Sequence, residues 1–138
     1  HMERVGIWLD KKEAKILRLS NGKEEFLTLK SEVEFFHPSG GGRAPFKWGG
    51  TQDVVRESSY MEREKQQLRS YFKNLVNVVG EVDAIAIFGP AITREKFGKE
   101  LIDRYPSLAS KIKVVAKKDS MTDNQVKALI KDYYKDSI

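Results

Sequence analysis

Residues 83–89, "DAIAIFG", decide the fold. The run is almost continuously apolar, and a strand without polar alternation is one covered on both faces. Pro90 follows, suited to the first turn of a helix, and "REKFGKELIDRY" (94–105) continues that helix until Pro106 ends it. "IKVVA" (112–116) reads as another buried strand. Thr122-x-x-Gln125 is a capping box that opens a last helix, with Val126, Leu129, Ile130 and Tyr133 as its apolar face. The second half of the chain thus alternates strand and helix, which calls for a parallel sheet with helices packed on it.

The first half has a different rhythm. Residues 4–10, "RVGIWLD", alternate Val5, Ile7 and Leu9 with Gly6 and Trp8, which is strand periodicity. "AKILRLS" (14–20) is a second strand, and Asn21-Gly22 is a hairpin turn because both positions tolerate positive φ. "KEEFLTLKSEVE" (23–34) is a third strand, which completes an antiparallel meander. A long helix runs from Val54 or Ser58 to Val79, with Met61, Leu68, Tyr71, Phe72, Leu75 and Val79 as one apolar stripe and Gly80 as its stop. The order β-β-β-loop-α-β-α-β-α is that of ribonuclease H-like folds. The expectation is an α/β domain with a mixed five-stranded sheet, its second strand antiparallel and its helices on both faces.

With 138 residues the chain suits one domain, residues 3–138; His1-Met2 reads as a vector remnant. Apolar residues at 40% and charged residues at 33% fit a soluble globular protein rather than a disordered tail. Lys and Arg outnumber Asp and Glu by 25 to 20, a net +5 that permits a polyanionic partner without requiring one. The absence of cysteine excludes disulfides and thiolate metal sites. Apart from His1 the single histidine is His37, so a zinc site built on histidines is not expected. No apolar run approaches the ~20 residues that cross a bilayer, and no signal-peptide pattern opens the chain. We expect a cytoplasmic protein with no membrane partner, no metal and no cofactor; the sequence does not reveal its oligomeric state.

The candidate site begins in the loop. "SGGGRAPFKWGGTQ" (39–52) holds five of the ten glycines, with Arg43, Pro45, Lys47 and Trp48 between them. The connection from His37 to Gln52 is longer than ordinary loops, and loops of that length tend to be functional or disordered. Residues 38–50 are expected to be poorly ordered. Arg43 and Lys47 can pair with phosphates, Trp48 can stack on an unpaired base, and the glycines let the backbone approach a ligand. On the helix that follows, Lys65, Arg69 and Lys73 recur every four residues on one face, diluted by Glu62 and Glu64. A charged helix face is more often merely solvated; beside this loop it becomes a candidate RNA contact.

Other constellations are weaker. A metal-dependent nuclease needs several carboxylates converging on magnesium. Asp10 ends the first strand, Asp83 starts the fourth and Glu13 lies in a turn, and ordinary turn and strand-end roles are favoured for them. "FGPAIT" (88–93) offers a helix N-terminus to an anion but has one glycine and no nucleotide fingerprint, so an ordinary strand-to-helix turn is favoured. His37 has no visible acid–base partner.

Taken together the chain resembles the middle domain of archaeal and eukaryotic class-1 peptide release factors and their Pelota-type ribosome-rescue relatives, and looks like a bacterial stand-alone relative of that domain. The resemblance runs from Val5 to the last helix. In that family a meander leads to a basic loop ending in Gly-Gly-Gln, followed by a long helix with a Met-Glu-basic core. Here Gly49-Gly50 precede Met61-Glu62-Arg63 in the same arrangement, and "VDAIAIFGPAITREKFGKEL" and "IKVVAKKDSMTDNQVKALI" are similar to the later strands and helices. The family's glutamine directly follows the glycines and helps position water for hydrolysis of peptidyl-tRNA. In this chain Thr51 takes that place and Gln52 comes one residue later. The rescue relatives keep the fold without the tripeptide and do not hydrolyse. The resemblance implies a ribosome- or tRNA-binding module acting in rescue or stress, in which the loop enters an RNA-lined site and Trp48 stacks on a base or lids the domain. Two alternatives stand beside it. One is peptidyl-tRNA hydrolysis through Gly49, Gly50 and Gln52, with Thr51 beside them. The other is a protein-interaction domain that has lost RNA contact. Without the codon-reading and partner-binding domains of full-length factors, this chain is not expected to decode stop codons by itself.

Overall fold

The computed structural model describes residues 2–32 and 50–136. Three strands come first, β1 (Glu3–Leu9), β2 (Glu13–Ser20) and β3 (Lys23–Lys30). Then follow α1 (Gly50–Val79), β4 (Ala84–Gly89), α2 (Thr93–Arg104), the single turn α3 (Pro106–Ala109), β5 (Ile112–Lys117) and α4 (Asp123–Asp136). The strands form one sheet in the order β3-β2-β1-β4-β5. β2 pairs antiparallel with both β1 and β3, and β4 pairs parallel with both β1 and β5. This is the expected α/β architecture with the antiparallel second strand.

Each face of the sheet buries its own core. Val5, Ile7, Leu9, Ile85 and Ile87 turn to one side, where they meet Leu68, Phe72 and Leu75 of α1 and Phe97 and Leu101 of α2. Trp8, Leu17, Ala86 and Phe88 turn to the other and meet Val126, Ile130 and Tyr134 of α4. The central strands β1 and β4 are therefore covered on both sides, which is why 83–89 carries no polar alternation. Burying each large aliphatic or aromatic chain stabilises the fold by about 1.5–3 kcal/mol.

Local chemistry fixes the ends. Asn21 and Gly22 both have positive φ, 53° and 77°, as a two-residue hairpin turn requires. Gly80, at φ 65°, closes α1 with its N–H donating to the Val76 carbonyl at 2.9 Å. The capping box at α4 is complete: the Gln125 N–H donates to Thr122 Oγ1 (3.2 Å) and the Thr122 N–H to Gln125 Oε1 (2.9 Å). The polar ends of buried aromatics find carbonyls, Trp8 Nε1 at Lys118 and Asp119 and the Tyr134 hydroxyl at Val5.

Four expectations are corrected. β3 ends at Lys30 rather than at residue 34: Ser31 still gives its N–H to the Lys12 carbonyl opposite it (2.9 Å), and residues 33–34 lie outside the described ones. α1 starts at Gly50 rather than at Val54 or Ser58; its first four residues contain nothing apolar, so periodicity gives no signal there. Met61 is 61% exposed and does not belong to the core stripe; among the described side chains of α1, Leu68 is the first buried in the core. β5 is half-covered rather than buried, because it is an edge strand with Lys113 and Lys117 exposed.

Candidate nucleic-acid interface

The site is organised by α1, whose 30 residues span about 45 Å at the helical rise. Two contacts set its height against the sheet. The Arg18 guanidinium donates to the carbonyls of Val78 and Val79, beside the start of β1. The Tyr71 hydroxyl donates to the Asp10 carbonyl at 3.0 Å, just past the end of β1. The helix therefore crosses the sheet between residues 79 and 71, and its earlier turns lie toward and beyond the C-terminal ends of β1 and β4. Lys11 in the β1–β2 turn reaches Glu64 at 2.7 Å and braces that part. Burial pushes the Tyr71 hydroxyl well above its ordinary range, and the Asp10 and Glu13 carboxylates add to the effect.

Lys65, Arg69 and Lys73 lie exposed on successive turns, about 6 Å apart along the axis. No ion pair joins any of the three to another described residue. Of the two acids that dilute the stripe, Glu64 is engaged by Lys11, and Glu62 is exposed. The stripe thus presents more free positive charge than its composition implies.

Sequence reasoning missed the neighbouring flank. Gln66, Ser70 and Asn74 follow the three cations by one residue each, and all are exposed. They line a groove of about 440 Å³ between α1 and the end of β3, with Lys30, Ser31 and Arg63 on its sides. The signal was present: the pairs Lys65-Gln66, Arg69-Ser70 and Lys73-Asn74 recur every four residues. The arrangement couples a cation able to meet a phosphate with an amide or hydroxyl able to meet a base edge or a ribose hydroxyl.

The loop half of the predicted site is placed in part. Arg43, Lys47, Trp48 and Gly49 lie outside the described residues, as do His37 and the segment expected to be poorly ordered up to residue 49. Gly50, Thr51 and Gln52 form the opening turn of α1. The stripe lies on the same continuous element as Gly50, four turns on.

The weaker constellations resolve. Asp10 Oδ1 accepts the backbone N–H groups of Lys12 (2.8 Å) and Glu13 (3.0 Å). Asp83 Oδ2 accepts that of Glu3 (2.8 Å). The two carboxylates sit at opposite ends of β1 and β4, so they cannot converge on one ion. Before α2, Arg94 donates to the Ala91 carbonyl (2.6 Å) and pairs with Glu95 (3.0 Å), the pattern of an ordinary strand-to-helix turn.

No protein-family model and no curated protein matches this chain. Solved structures do. An archaeal translation termination factor, aRF1, superposes with a TM-score of 0.55 at 11% identity, over 97% of this chain and 39% of its own. Pelota of Archaeoglobus fulgidus gives 0.49 at 15% identity, over 94% of this chain and 31% of its own. Pelota of Thermoplasma acidophilum gives 0.39 at 16% identity, over 88% and 29%. The chain spans well under half the length of these neighbours. Its likeness to the termination factor is one of fold. Among the described residues no helix is long and apolar enough to cross a membrane.

Proposed function

We propose that this chain is a translation-associated module that binds RNA of the ribosome or tRNA along α1, with residues 37–52 as its docking loop and rescue or stress as its setting. The observation that carries the reading is the stripe of Lys65, Arg69 and Lys73, unpaired among the described residues, with a hydrogen-bonding residue after each cation. The shared fold with an archaeal translation termination factor supports the same class of partner. The net charge of +5 favours a polyanion at long range, and the stripe gives it an address.

The mechanism is electrostatic seating followed by local recognition. Each phosphate neutralised by a lysine or arginine releases condensed counterions, so affinity falls as salt rises. Gln66, Ser70 and Asn74 then select for exposed base edges or ribose hydroxyls, which a continuous duplex groove does not offer in the same way.

The test is co-sedimentation with ribosomes, and binding to tRNA, across a salt series. Replacing Lys65, Arg69 and Lys73 together by alanine should flatten the slope of log affinity against log salt by about two to three. Adding Arg43→Ala and Lys47→Ala should flatten it further. An unchanged slope in the triple variant would refute the assignment.

A further inference from the structure

The opposite edge of the sheet carries a second surface, independent of the RNA reading. Among the described residues β5 ends the strand order and pairs only with β4. The Lys118 N–H donates to the Gly89 carbonyl (2.8 Å), and strand alternation then turns the backbone groups of Val115 and Lys117 outward. Along this edge stand Lys111, Lys113, Lys117 and Lys118, all exposed and none ion-paired to a described residue. Two aliphatic side chains accompany them: Val115 is 38% exposed and Ile102 of α2 is 65% exposed. Both belong to the α2 side of the edge, since Val115 lies against Gly98 and Ile102 follows one turn later. Nearby acids are few: Asp103 is held by Lys99 at 3.0 Å, Glu95 by Arg94, and Asp119 is exposed.

We propose that β5 is a docking edge for an extended acidic segment of a partner protein, which adds to the sheet as a sixth strand. The outward backbone groups would supply the ladder and the side chains the register. An aliphatic residue opposite Val115 would extend the patch shared with Ile102. An acidic residue two positions along would face Lys117, and another would meet Lys113. Lysines also guard edge strands against self-association. Here they argue against a second copy of this chain, because edge-to-edge pairing would bring two lysine rows together. They leave an acidic strand as the matching occupant.

The probe is a capped peptide of about eight residues with a central Val, Glu two positions to either side of it and Thr between them. It is titrated into the isotope-labelled full chain while backbone amide shifts are followed. Shifts should concentrate at residues 112–118. Methylating alternate peptide amides should abolish them, because the ladder would lose its donors. Lys113→Glu with Lys117→Glu should weaken binding about tenfold or more, and should create binding to the matching Lys/Val peptide. Several outcomes would overturn the proposal. They are no shift on β5 at millimolar peptide, binding indifferent to amide methylation, or concentration-dependent shifts at the same amides without peptide. Single-stranded RNA displacing the peptide from this edge at lower concentration would also overturn it and assign the lysines to nucleic acid.

Discussion

Gly6 and Ile130 mark a close approach between the sheet and α4: a Cβ at residue 6 would collide with the Ile130 side chain. Gly6→Ala should destabilise the protein by about 1–3 kcal/mol through overpacking, and combined with Ile130→Ala, which removes the colliding γ and δ carbons, it should cost less than the sum of the two single losses. Urea unfolding of the two singles and the double checks this; additive losses would mean that the contact does not set the spacing. The other decisive residue is Thr51. Hydrolysis of an ester at the opening turn of α1 needs water placed close to the carbonyl and donors aimed at the developing oxyanion. A displacement of ~1 Å can cost about a hundredfold in rate, and here the glutamine stands one residue late. We expect the wild-type chain to release little or no peptide from peptidyl-tRNA on loaded ribosomes. Robust release that Gln52→Ala abolishes at unchanged binding would establish a hydrolase instead.

Burial changes along the described side chains of α1. Leu75 is fully buried and Leu68 is the first core residue among them, whereas Met61 stands in solvent. Leu75→Ala should cost about 2–5 kcal/mol, and Met61→Ala should change stability by no more than about 0.5 kcal/mol. Equal losses by chemical denaturation would contradict this division. The cap at α4 offers a third measurement: Thr122→Ala should cost about 1 kcal/mol, since the first turn loses the acceptor for the Gln125 N–H. Elements of this kind are readable from sequence because their signals are local. A capping box lies within four residues, a hairpin turn within two, and a core strand announces itself by lacking polar residues. What escaped the reading was non-local. The half-covered state of β5 depends on its place at the edge, and strand order comes from long-range pairing, although Lys113 and Lys117 hinted at it. The groove beside Gln66, Ser70 and Asn74 exists only because the end of β3 comes to rest against α1. The first turn of α1 lacked the apolar residues by which helices are recognised.

For the molecule as a whole, the two hydroxyls tied to β1 make alkaline pH a probe of the fold. Burial raises both Tyr71 and Tyr134 well above the ordinary phenol range; acidic neighbours add to it for Tyr71, while for Tyr134 the neighbouring Tyr133 adds to it and Arg4 partly opposes it. Their stabilising effect is complete below the unfolded value of about 10 and is lost as pH rises above it, because the unfolded chain ionises first. Stability should fall by about 1.4 kcal/mol per pH unit for each tyrosine in that window. Urea midpoints between pH 9 and about 11.5 should therefore decline in wild type and flatten in Tyr71→Phe with Tyr134→Phe, and a flat wild-type profile would sink the assignment. The central place of β1 has a consequence for synthesis. One side of β1 is closed early by β2, but its other side waits for Ala84–Phe88. At about 5–20 residues per second, the stretch between Ser20 and Ala84 takes roughly 3–13 s to be made. Throughout that interval the most apolar strand of the nascent chain carries an open edge at the ribosome exit, so the window for mispairing is set by translation speed rather than by the stability of the finished protein.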